Sequence, residues 1–189
     1  MRALVTAVAV LSLSACSTKT LININLDVES FLPPNTRENT VPVTAGSFQT
    51  RLPDDDGDAV NGNDPDGAII NLSALSILER ASLNVRVRLD SSASGALALY
   101  IAPGDTTNLY QAQYRVLQGN TATADLAASV VLSATSSDPA QVQAFNAVKS
   151  GSFRIGVEAS GSASGASTIT YRVENLDVSV SGYPIRLLF

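Results

Sequence analysis

Strict alternation of apolar and polar residues constrains this chain more than any other feature. Within Leu21–Leu32, Ile22, Ile24, Leu26 and Val28 alternate with Asn23, Asn25, Asp27 and Glu29. A period of two sends successive side chains to opposite faces of an extended backbone, so the segment reads as a strand with one buried face. Ala81–Asp90 repeats the pattern: Leu83, Val85, Val87 and Leu89 alternate with Asn84, Arg86, Arg88 and Asp90. Further strands are expected at Ala96–Ala102, Leu109–Leu117, Leu126–Leu132, Ser152–Glu158 and Thr168–Val180. The last changes phase, with Ile169, Tyr171 and Val173 odd but Leu176, Val178 and Val180 even. One extra residue near Glu174-Asn175 restores a single buried face, which predicts a β-bulge there. The Ala/Ser/Gly tract Ala159–Ser167 reads as a hairpin connection, with Val157 facing Tyr171, Ile155 facing Val173 and Arg154 opposite Glu174.

One helix is expected, at about residues 139–149. Asp138 is a good N-cap, Pro139 suits the first helical position, and Val142, Phe145 and Val148 share a face before Ser150-Gly151 ends it. Many strands separated by Gly, Ser, Pro and Asp turns, with one short helix, predict a mostly β fold. We expect an antiparallel β-sandwich forming a single domain over residues 21–189. Cys16 is the only cysteine, so this domain has no disulfide and depends on its core.

The N-terminal segment has a different character. Arg2 precedes an apolar run from Ala3 to Leu13, which suits a secretory signal and is too short to span a bilayer. The residues that follow, Leu13-Ser14-Ala15-Cys16, resemble the lipobox of bacterial lipoproteins. That resemblance implies a signal peptide over residues 1–15, cleaved before Cys16. It also implies palmitate-type acylation of Cys16 and anchorage to a bacterial membrane. Ser17 rather than an aspartate at the next position implies the outer membrane or cell surface. Residues 16–20 are then the lipidated cysteine and a short tether. Its four residues after the cysteine reach no more than about 14 Å, so the domain works at the bilayer surface.

Charge and missing residue types narrow the chemistry. The formal net charge is −5, and loss of Arg2 with the leader makes it one unit more negative. Such a chain repels phosphate backbones, so nucleic acid is not an expected partner. There is no His, and Cys16 is taken by lipid, which excludes Ser-His-Asp and Cys-His catalysis and His-based metal sites. A carboxylate pair for glycoside hydrolysis stays open, yet no Trp and only ten aromatics in all are poor material for a sugar-stacking cleft. The chain is therefore read as a non-enzyme that requires no cofactor.

One loop carries concentrated charge. Between Asp54 and Gly67 lie six of the 17 acidic residues, with no Lys or Arg among them. Clustered oxygen ligands on a sharply turning backbone suit calcium, and Asp54, Asp56, Asp58, Asn61, Asn63, Asp64 and Asp66 are the candidate ligands. Asp54, Asp56 and Asp58 resemble the opening of calcium loops of the EF-hand and thrombospondin-repeat kind. The resemblance stops at Ala59 and Pro65, where an EF-hand has Gly and Glu, so a solvated acidic loop between strands is the favoured reading and a calcium site the alternative. Tyr110 and Tyr114 are expected on one strand face, as core or as a binding platform, and Arg86 and Arg88 on a solvated face. Tyr183–Phe189 reads as a last strand of the sandwich. The functional expectation is a membrane-anchored lipoprotein of the bacterial cell envelope, acting as a structural or binding module for an envelope protein or glycan. A calcium-dependent adhesion or carbohydrate-binding module comes second, and a carboxylate-based envelope hydrolase third.

Overall fold

A computed structural model describes residues 22–27, 37–43, 45–52, 67–71, 78–90, 94–121, 125–165 and 167–182. The alternating segments form ten strands in two antiparallel sheets. The first sheet contains β1 (Ile22–Asp27), β2 (Glu38–Val43), β5 (Leu78–Asp90), β8 (Asp125–Leu132) and β10 (Ser167–Gly182). The second contains β3 (Gly46–Leu52), β4 (Ala68–Asn71), β6 (Ser94–Pro103), β7 (Arg115–Thr121) and β9 (Ser152–Ala163). Strand order is β1-β10-β5-β8 in the first sheet and β3-β9-β6-β7 in the second. Beside β1, strand β2 lines the same edge of β10, and β4 likewise continues β3 along β9. Counting each such pair as one interrupted strand leaves four positions per sheet, connected in the double Greek-key manner of jelly rolls.

The core lies between the sheets. Leu83, Val85, Leu97, Leu99, Ile101, Leu132, Phe153, Ile155, Val157 and Val178 are buried there. Full burial of one such side chain is worth about 1.5–3 kcal/mol, so this layer carries most of the stabilisation. Thr50, opposite Ala159, enters the same layer and is 3% exposed. Helix α1 (Pro139–Ser150) packs against the core through Ala144, Phe145, Ala147 and Val148. Its cap is as the sequence implies. The Asp138 carboxylate accepts from the Ala140 N–H at 2.9 Å, and Gly151 closes the helix in the left-handed conformation, at φ 83°.

The bulge in β10 is present. Val173 pairs with Val87 and Asn175 with Arg86, so Glu174 is the extra residue, and Val173, Leu176 and Val178 are all buried. The hairpin across Ala159–Ser167 does not form. Strands β9 and β10 belong to different sheets, and the tract crosses between them. Arg154 accordingly does not oppose Glu174, which instead takes Arg86 Nε at 3.4 Å. The expected strand Leu109–Leu117 is also shorter than the pattern implies. Residues 104–114 form a loop ending in a single 3-10 turn, and β7 starts only at Arg115. Tyr183–Phe189 lies outside the described residues.

Candidate functional site

The outer faces of the two sheets differ. On the first sheet most outward positions are polar, although Val131 is exposed and the Asn175 Oδ1 is buried with no hydrogen-bond partner among the described residues. Ser179 donates to Asn25 at 2.8 Å, Arg172 contacts Glu38 at 2.8 Å, and Arg86 is exposed beside Glu174. Arg86 thus sits on a solvated face as expected, while the side chain of Arg88 lies outside the described set. The Arg172 guanidinium holds the Glu38 carboxyl below its ordinary value, chiefly by hydrogen bonding.

The second sheet carries an aromatic and charged cluster on its outer face. Register explains its composition. Odd residues of β6 face the core, so Ala98, Tyr100 and Ala102 face outward, and on β9 the outward positions are Arg154, Gly156 and Glu158. Arg51 of β3 pairs with Glu158, and Arg115 of β7 pairs with Tyr100 beyond a second bulge that accommodates Val116. A row of polar groups therefore crosses the sheet. Arg51 Nε donates to Glu158 Oε2 at 3.3 Å, and the Tyr100 hydroxyl donates to Glu158 Oε1 at 3.4 Å. Arg115 lies opposite Tyr100 in the strand register, so its charge acts on the same phenol. Burial, followed by the charge on Glu158, raises the Tyr100 phenol above its ordinary 10.0, while Arg115 pulls the other way. Tyr100 therefore stays protonated, as a fixed donor.

The loop 104–114 lies over this row. It is pinned at its start, where Gly104 N donates to Ser152 O at 3.1 Å and Arg154 Nε donates to Gly104 O at 3.2 Å, and it turns on itself where Gln111 N donates to Leu109 O at 2.8 Å. Leu109 is fully buried, seated where two glycines leave room. A Cβ on Gly67 would lie 2.5 Å from Leu109 Cδ2, and one on Gly156 would lie 2.8 Å from the same atom. Gly67 also adopts φ +63°, a conformation that favours glycine. Tyr110 covers Gly156, meets Tyr100 edge-on at 5.2 Å between centroids, and carries the Arg51 guanidinium 4.6 Å above its ring. Tyr114 packs on the same cluster and, like Tyr110, is half-buried. Around them Gln111, Gln113, Arg115 and Gln118 are exposed.

Tyr110 and Tyr114 thus meet in one cluster, although neither is on a strand. The overlooked members are Arg51, Tyr100, Arg115 and Glu158. Gly156 was the available signal: an isolated glycine inside the alternating segment Ser152–Glu158 marks a close approach by another group. Cys16 and the candidate calcium ligands Asp54, Asp56, Asp58, Asn61, Asn63, Asp64 and Asp66 lie outside the described residues. The roots of their loop are described. Leu52 pairs with Val157 and Ala68 with Ile155, so the chain leaves and rejoins β9 about 7 Å apart, at the sheet edge carrying Arg51. Among the described residues, no group of three or more His, Cys, Asp or Glu could hold a metal ion.

No protein-family model matches the sequence, and no curated protein matches it. Some solved structures show a distant likeness. One, of infectious bursal disease virus Gx strain, is 12% identical, with 90% of this chain and 33% of that chain covered and a TM-score of 0.40. The VP2 subviral particle of that virus is 10% identical over 88% of this chain and 33% of that chain, with a TM-score of 0.41. The xylan-binding module CBM15 is 11% identical over 86% of this chain and 97% of that chain, with a TM-score of 0.36. This chain spans about a third of the length of the viral chains. These likenesses concern the fold alone, and no ligand or partner is carried over from them.

Proposed function

We propose that this chain is a lipid-anchored, non-catalytic module of the bacterial cell envelope that binds a glycan across the outer face of the second sheet. Export and acylation at Cys16 rest on the lipobox-like Leu13-Ser14-Ala15-Cys16. Binding rests on one observation: the half-buried Tyr110 and Tyr114 stand among exposed Gln111, Gln113, Arg115 and Gln118, beside a preset Arg51–Glu158–Tyr100 network. A sugar ring offers apolar C–H faces and a rim of hydroxyls that both donate and accept. Aromatic rings suit the first, and amides, guanidinium and carboxylate suit the second. Loop 104–114 is held at its start by Ser152 and in its middle by the buried Leu109, so little ordering entropy is lost when a ligand docks.

Two experiments test this reading. Full-length protein purified in detergent is run through gels cast with polysaccharides, beside Tyr114→Ala and Tyr110→Phe variants. The expected result is retardation by at least one polymer, weakened by Tyr114→Ala and kept by Tyr110→Phe; retardation indifferent to both would move the ligand elsewhere. For the anchor, Cys16→Ala is labelled with a palmitate analogue in cells. Incorporation should vanish, and undiminished incorporation would remove the lipoprotein assignment.

A further inference from the structure

We infer that the glycan received by this face is an acidic one, and that Arg115 is the group that binds its carboxylate. The inference rests on the glycan reading above and narrows it to one ligand class. Two arginines of the face differ in their surroundings. Arg51 is ion-paired with Glu158 at 3.3 Å and lies over Tyr110, so its charge is met within the protein. Arg115 is exposed, opposite the neutral Tyr100 in the strand register, and no ion pair among the described residues includes it.

A guanidinium carries several N–H donors in a rigid plane, and those of the exposed Arg115 face solvent. They match a carboxylate, whose two oxygens accept side by side. Position adds to the case. On the same side stand Tyr114, with a half-buried ring, and the exposed amides of Gln113 and Gln118. A uronic acid residue bound here would set its carboxylate on Arg115 and its ring against Tyr114, with its hydroxyls toward the amides.

The test compares polymers that differ in charge alone. Full-length protein in detergent is titrated at physiological salt with polygalacturonate, alginate and hyaluronan, and with methyl-esterified polygalacturonate, dextran and xylan as uncharged counterparts. At least one polyuronate should bind, and esterification should weaken polygalacturonate, if that is the one bound, by about tenfold or more. Arg115→Gln should cost about the same factor, with Arg115→Lys recovering only part, because a point charge lacks the fork. Far-UV circular dichroism of both variants should match the parent. Equal binding of charged and uncharged polymers, or indifference to Arg115→Gln, would overturn the acidic specificity and leave the glycan reading standing. No binding to any polymer would overturn both. Displacement of polyuronate by short-chain phosphatidylglycerol but not by galacturonate oligomers would assign Arg115 to a lipid phosphate instead, and would also overturn the inference.

Discussion

Gly156→Ala is a small change with a predictable cost. A Cβ at this position would lie 2.5 Å from the Tyr110 hydroxyl, 2.8 Å from Leu109 Cδ2 and 2.9 Å from Tyr110 Cζ. All three atoms belong to loop side chains, so loop 104–114 lifts while the sheet keeps its register. Displacing Tyr110 loses its edge-on contact with Tyr100, worth about 0.5–1.5 kcal/mol, and weakens the Arg51 contact, worth about 0.5–1 kcal/mol. With the strain of the added methyl, a loss of about 2 kcal/mol follows, within the range for overpacked sites. For a chain of this size that lowers the melting temperature by roughly 4–8 °C. Thermal melts followed by far-UV circular dichroism provide the assay, with the near-UV tyrosine signal reporting on the cluster. Gly119→Ala is the control, because nothing lies within 4 Å of its Cβ, and it should shift stability by no more than about 0.5 kcal/mol. Combining Gly156→Ala with Tyr110→Ala should cost less than the sum of the two, since the second change removes two of the three obstructing atoms and leaves only Leu109 Cδ2. If Gly156→Ala melts where Gly119→Ala does, the placement of the tyrosine loop is wrong.

Three further outcomes are expected. Val85, 2% exposed, tolerates no charge, so Val85→Asp should abolish the cooperative melt; Asn84→Asp, exposed but opposite Asp177, should cost only about 0.2–1 kcal/mol. The buried Thr50 hydroxyl has no hydrogen-bond partner among the described residues, so Thr50→Val should gain about 1 kcal/mol in urea titrations, and a loss would reveal a partner. Tyr100 titrates above its ordinary 10.0 in the folded chain, so its contribution to stability is complete below pH 10 and declines as pH rises from there toward the folded value. Melting temperatures at pH 9 and 11 should therefore differ more in the parent than in Tyr100→Phe.

The outcome of the sequence reading followed the range of the forces involved. Alternation in Ala81–Asp90, the Asp138–Pro139 helix start and the phase change at Glu174 are local signals, and each corresponds to an element. Strands β2, β3 and β4 were not anticipated, since Glu38–Val43, Gly46–Leu52 and Ala68–Asn71 are short edge segments with weaker patterning. The partner of each strand was not legible either. Ala159–Ser167 looks the same whether the next strand turns back in the same sheet or crosses to the other, and here it crosses. Leu109–Leu117 alternates like a strand, yet Leu109 is drawn into the space above Gly67 and Gly156, which the sequence places far apart. The cluster was invisible for the same reason, because Arg51, Tyr100, Arg115 and Glu158 meet only through the register of four strands.

An amide NMR titration with galacturonate oligomers tests the binding face most directly. Perturbations should concentrate on the outward positions of β6, β7 and β9 and on loop residues 109–114, with Tyr100, Tyr114, Arg115 and Gln118 foremost. Residues on the outer face of the first sheet, such as Asn84, Ser129 and Ser179, should stay in place. Shifts centred on that opposite face, or no shifts at saturating oligomer, would contradict the assignment of the second sheet as the surface that receives the ligand.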